Sequence, residues 1–304
     1  MLTAFAASGF SQQDSVKKGF DLSNASVPMK QIIDGGPPRD GIPSIDEPQM
    51  VSPTQVDFLE PDDRILGITH NGITKAYPVK ILNWHEIVND HFGDQPVVVS
   101  YCPLCGSGMA FDARIAGKNR TFGVSGLLYN NDLLLYDRQS ESLWSQIESK
   151  AIAGPLKGKE FQYIQTSHTT WSKWQQRHPA TRVLSDNTGF NRDYSRSPYA
   201  GYEKQKTLMF PTDHDDQRYH PKTWVLGIRL DGQYKAFPFP ELEKSDAPVV
   251  VEFAGSTLEI RYDKQAQDAS LTVKNGSRPE SMVMYWFAWM AFHPESQVFT
   301  SGND

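Results

Sequence analysis

One pattern occurs twice in this chain, and it limits the fold more than any other feature. Leu66-Gly67-Ile68, Gly72, Lys75-Ala76 and Pro78 return at the same spacing as Leu226-Gly227-Ile228, Gly232, Lys235-Ala236 and Pro238. Seven of the fourteen positions from Ile65 to Pro78 are thus shared with those from Val225 to Pro238. In the first copy two short apolar runs flank Asn71-Gly72, a dipeptide suited to the two-residue turn of a β-hairpin. Pro96-Val97-Val98-Val99 is echoed in turn by Pro248-Val249-Val250-Val251. The expectation is an α+β, mostly β fold of two related β-rich halves, an internal duplication with a few short helices. The breakers Gly35-Gly36-Pro37-Pro38 and Asp40-Gly41-Ile42-Pro43 place an extended N-terminal arm before them. The boundaries read as an arm over residues 1–60, a first half over 61–185, a long covering loop over 186–221 and a second half over 222–304.

Composition narrows the function classes. Hydrophobic residues make up 38% and charged residues 22%, the profile of a soluble globular protein. A formal charge of -6, with no Lys/Arg-rich block, argues against nucleic acid as the partner. The longest apolar run, Met282 to Phe292, reads as a core helix and is too short for a membrane span. The apolar start Met1 to Ser8 ends in small residues, as the remnant of a secretory signal would, although its basic leader is missing. An ordinary terminus is the other reading.

Within the first half, Pro78 opens a helix expected to run from Val79 to Phe92. On it Ile81, Leu82, His85, Val88, Asn89 and Phe92 share the inward face, and Glu86 points away. Further short strands are expected at Met109 to Arg114, Asn119 to Val124, Leu133 to Asp137, Leu143 to Gln146 and Glu160 to Gln165. A second helix starts at Trp171 and is ended by Pro179.

Both cysteines of the protein lie in Tyr101-Cys102-Pro103-Leu104-Cys105-Gly106-Ser107-Gly108-Met109, directly after the apolar strand. Two cysteines cannot staple a chain of 304 residues, so the pair points to a metal knuckle or a redox dithiol. Thiolates aimed by a Pro/Gly turn suit a soft ion, copper first and zinc next. A second thiol pair is lacking, so the remaining ligands must be His, Met or carboxylate. The candidate metal ligands are Cys102, Cys105, His85 and Met109. The candidate catalytic groups are Cys102, Cys105 and Asp132, with Asp132 (or Asp137) as a general base. Ala254 stands where Cys102 falls in the other half, so only the first half carries the chemistry. Two other readings stay open: a metal-free thiol/disulfide oxidoreductase, and a non-catalytic module whose aromatic loop 186–221 grips a ligand.

These residues resemble a bacterial family of unknown function, the DUF3179 domain proteins. The matching stretches are Gly35 to Pro43, Asn83-Trp84-His85-Glu86-Ile87-Val88-Asn89-Asp90, Tyr101 to Gly106, Phe122 to Asn130, Leu143-Trp144-Ser145-Gln146 and Pro221 to Gly227. The resemblance implies export, hence a periplasmic or otherwise exported location. Some members resemble selenoproteins with selenocysteine in the cysteine motif, which implies redox chemistry at Cys102 or Cys105. The expectation is an exported metal-binding or redox protein, an oxidoreductase acting on a small molecule or redox partner.

Overall fold

The structure, a computed structural model, describes residues 15–302, and it is β-rich with a few short helices. The apolar start Met1 to Ser8 lies outside the described residues. Both repeated motifs form antiparallel hairpins. Arg64–His70 pairs with Ile73–Pro78, and Trp224–Leu230 pairs with Gln233–Pro238. Asn71 and Gly72 hold φ of 49° and 73°, Asp231 and Gly232 hold 50° and 72°, the values a tight two-residue turn demands.

Each hairpin sits inside a larger sheet. The first is flanked by antiparallel Thr166–Thr170 and parallel Arg182–Leu184, with Met50–Val51 on the outer edge. The second is flanked by antiparallel Glu280–Tyr285 and parallel Gln297–Val298. A helix covers each sheet, Trp171–Arg177 on one and Trp286–Phe292 on the other, and each lays a tryptophan on a glycine. A Cβ at Gly67 would lie 2.3 Å from the Trp174 ring, and one at Gly227 would lie 2.1 Å from Trp289. Gly67→Ala and Gly227→Ala are therefore each expected to lose about 1–3 kcal/mol through overpacking, read as a drop in the unfolding midpoint. Wild-type midpoints in both variants would show that the indoles can yield.

The cysteine hairpin, Gln95–Cys102 with Ser107–Asp112, belongs to a separate four-stranded sheet together with Ile87–Phe92 and Gln162–Ile164. Against it packs the sheet of Phe122–Tyr129, Asp132–Asp137, Leu143–Ser145 and Lys150–Ala153, to which Ile32–Asp34 adds an edge. One apolar cluster joins Cys102, Cys105, Phe122 and Trp144 to Val225, Met284 and Trp286, so the motif lies where the two hairpin-bearing regions meet. Among the described residues no helix is long and apolar enough to cross a membrane.

Two helix expectations are corrected. The helix after Pro78 ends at His85, and Ile87–Phe92 is a strand. Glu86 takes a positive φ of 58° and stops the helix, after which Ile87 and Val88 find partners in Ser100 and Val99. Residues that share a helical face over two turns thus alternate across a sheet instead. Likewise Met282 to Tyr285 is strand, and only Trp286–Phe292 is helical.

Candidate functional site

The strand Gln95–Cys102 ends in a four-residue turn, Pro103 to Gly106, closed by the pairing of Cys102 with Ser107. Gly106 is required twice over. Its φ is 63°, and a Cβ there would lie 2.7 Å from Trp224 and 3.1 Å from Tyr285. The carbonyl of Cys105 accepts a hydrogen bond from the Tyr285 amide at 2.8 Å. The region expected to lack the site thus builds one of its walls. Gln146 braces the two strands from below: it accepts from the Ser107 hydroxyl at 2.5 Å and donates to Ser100 Oγ at 3.0 Å.

Asp132 is brought to the sulfurs by a second tight turn, Asn130-Asn131, with φ of 51° and 64°. The Cys102 thiol donates to the Asn131 carbonyl at 3.5 Å. One donor atom from each of Cys102, Cys105 and Asp132 lies within 4.8 Å of the others, and all three residues are buried. Asp132 Oδ2 accepts from the Ile147 amide at 3.1 Å, while Oδ1 is buried with no partner. Burial pushes the Asp132 carboxyl well above the usual range, against the amides that favour its charged form. Burial, then the neighbouring Cys102 and Asp132, pushes the Cys105 thiol up as well. Asp132 and Cys105, whose anions are costly here, are thus gathered with the Cys102 sulfur at one point, an arrangement suited to a cation or a shared proton.

His85 is not part of this group. Its Nδ1 lies 2.7 Å from the Pro43 carbonyl, which only accepts, so Nδ1 carries the proton. Nε2 then accepts from the Tyr194 hydroxyl at 2.6 Å, and no lone pair is left for a metal. Burial keeps the ring neutral by lowering its pKa. Met109 sits opposite Ser100 and packs in the same apolar cluster as the cysteines. Asp137 is committed elsewhere: it accepts from Arg120 at 2.8 Å and from Trp144 Nε1 at 3.0 Å.

Several residues at the site carry no local sequence signal. The long segment 186–221 lays Tyr194 on His85, Tyr199 against Glu86, and Tyr202 into the apolar cluster of the cysteines. It is pinned by Asn131, which exchanges hydrogen bonds with the Phe210 backbone, and by Lys222, which donates to the Gln205 and Thr207 carbonyls at 2.7 Å each. The Tyr202 hydroxyl is buried without a partner, and burial with the two nearby thiols raises its pKa. Glu86, expected to point away, is buried instead. Burial pushes its carboxyl up to about 8. Only its place beside His85 in the motif hints at this, because helical periodicity misplaces it.

Above the turn lies a cleft of about 530 Å³, with Pro103 reaching its wall beside Tyr101, Tyr202, Trp224 and Tyr285. No curated protein and no solved structure matches the chain. A family model described as "Protein of unknown function (DUF3179)" matches residues 39–296, nearly the whole sequence. That span takes in the cysteine turn, the Asn130-Asn131 turn with Asp132, and the segment laid over them, so this chain belongs to the DUF3179 family.

Proposed function

We propose that this is a metalloprotein whose centre is formed by Cys102, Cys105 and Asp132. The single observation that carries the reading is the buried gathering of those three donors, with one Asp132 oxygen unpartnered. A thiolate pair with a carboxylate favours zinc over copper, because the third donor is a hard oxygen and not an imidazole. Three protein donors leave a fourth position for a substrate atom, as working zinc sites do. Export fits the same reading: in an oxidising compartment a bound ion keeps the close thiols from pairing.

The test is elemental analysis of the protein purified without chelator. Wild type is expected to carry about one ion per chain, Cys102→Ser/Cys105→Ser none, and Asp132→Asn to lose it at lower chelator concentration. Equal metal in wild type and the double-serine variant would end the proposal. A second reading, a thiol/disulfide oxidoreductase, is favoured by the buried Asp132 carboxyl beside the pair, whose raised pKa suits it to exchange a proton with a thiol. In that case metal-free protein treated with mild oxidant gains a Cys102–Cys105 disulfide that dithiothreitol reverses.

We further infer that the framework arose by internal duplication. Support comes from the shared hairpin residues and from the second motif Trp171-x-x-Trp174 with His178-Pro179, matched by Trp286-x-x-Trp289 with His293-Pro294. Trp174 Nε1 donates to Thr181 at 3.0 Å, and Trp289 Nε1 donates to Ser296 at 2.9 Å. On this view the chemistry is an addition to one copy. Where the cysteine hairpin has its four-residue turn, the hairpin Val249–Phe253 with Ser256–Asp263 closes over only Ala254-Gly255.

A further inference from the structure

The cleft above the cysteine turn contains a half-buried positive charge that forms no ion pair with the protein's own acids. Arg64 opens the first repeated hairpin and lines the cleft. Its guanidinium donates to three backbone carbonyls: Ala266 at 2.6 Å, Gln267 at 3.1 Å and His168 at 2.6 Å. Its Nε–H is buried with no partner. Among the described residues it forms no ion pair. Asp268, whose charge it feels, is already bound to Arg177 and to the Thr169 hydroxyl. Holding a half-buried guanidinium against carbonyls alone is costly, and an anion supplied from outside relieves that cost.

The deep wall beside Arg64 is aromatic. Trp224 and Tyr285 pack with ring centroids 4.4 Å apart, Arg64 stands 5.9 Å from the Trp224 ring, and Tyr101 and Tyr202 complete the buried surface. The groups that would bind hydroxyls, Ser197, Gln265 and Gln267, are exposed at the rim, as are the acids Asp62 and Glu203, of which Glu203 is felt at Tyr285. A volume of about 530 Å³ suits a small molecule.

We propose that this cleft is a binding site for a small aromatic carboxylate, its anionic group on Arg64 and its ring against Trp224 and Tyr285. The site goes beyond the metal centre and is independent of it: the ligand needs no contact with either sulfur. A carboxylate on a guanidinium gains charge-assisted hydrogen bonds that a neutral amide cannot match.

The test is calorimetric titration of the full chain with 3-phenylpropionate, its neutral amide 3-phenylpropanamide, and glucuronate. The aromatic acid is expected to bind at least tenfold tighter than either of the others. Arg64→Gln, checked for folding by its unfolding midpoint, should remove the preference for acid over amide, and Cys102→Ser/Cys105→Ser should leave it. Equal binding of acid and amide to wild type would overturn the role of Arg64 without recourse to any variant. Glucuronate binding as tightly as the aromatic acid would overturn the ring preference, and no binding of the acid at millimolar concentration would overturn the site. Loss of binding in the double-serine variant, with its unfolding midpoint kept, would assign the ligand to the sulfur centre instead.

Discussion

Glu86→Gln is expected to stabilise the protein more and more as pH rises from about 4.5 to 8. The buried Glu86 carboxyl titrates near 8 in the folded chain against a usual 4.5. Its folded pKa is raised, so the folded state holds the proton longer than the unfolded chain does. The contribution is therefore fully present below pH 4.5, declines as pH climbs through the window, and is lost above about 8. Across the window the loss is on the order of 5 kcal/mol, from 1.36 kcal/mol per pKa unit. Glutamine keeps the shape and removes the ionisation. Urea unfolding of both proteins at pH 5, 6.5 and 8.5 measures the difference, in which all other titrating groups cancel. Parallel stability curves would mean that Glu86 is solvated or paired in solution. The residue stands at the end of the His85 helix, and its carbonyl accepts from the Tyr101 amide at 2.7 Å. Strain at its positive φ and an unionised side chain are thus built in one residue before the cysteine strand's neighbour begins.

The second large effect concerns Arg120 and Asp137. Their ion pair, at 2.8 Å, is 7% and 0% exposed. Asp137 accepts further from the Ser140 amide at 2.8 Å and from Trp144 Nε1 at 3.0 Å. Removing the guanidinium leaves a carboxylate buried with only neutral donors. Arg120→Met is expected to cost about 3–5 kcal/mol, far more than the pair itself contributes. Adding Asp137→Asn should return part of the loss, because the orphaned charge goes with it. Denaturant unfolding of the single and double variants reads both effects. A loss under about 1 kcal/mol in the single variant would show water reaching the pair. Asp137 ends the strand that Asp132 begins, so on the proposed metal reading the weakened variant should also release the ion more readily.

The difference between Asp132 and Asp137 shows how far local reading carries. They bound the same strand at its two ends, both are fully buried, and both qualify as a general base by residue type. Arg120 lies 17 positions before Asp137, and the Ile147 amide lies 15 after Asp132. Neither contact has a periodic signature. His85 stands outside the group of Cys102, Cys105 and Asp132 for a related reason: its helical face is inward, as its spacing says, but Pro43 and Tyr194 meet it there. Asn130 and Asn131 were readable as turn residues, yet their holding of Phe210 and Asp213 depends on where the long segment passes.

Sequence alone determined what acts over a few residues. That includes the two hairpins with their Asn-Gly and Asp-Gly turns, the delivery of two sulfurs by a strand into a glycine-bearing turn, and membership in a family by motifs spread along the chain. Tertiary structure decided which third donor lies by those sulfurs, that Ile87–Phe92 is strand, and that Arg64 stands half-buried beside Trp224 with no ion pair. The reason is physical. Backbone preference and side-chain periodicity act within a turn or two, whereas burial and hydrogen-bond partners are set by segments that meet only after folding.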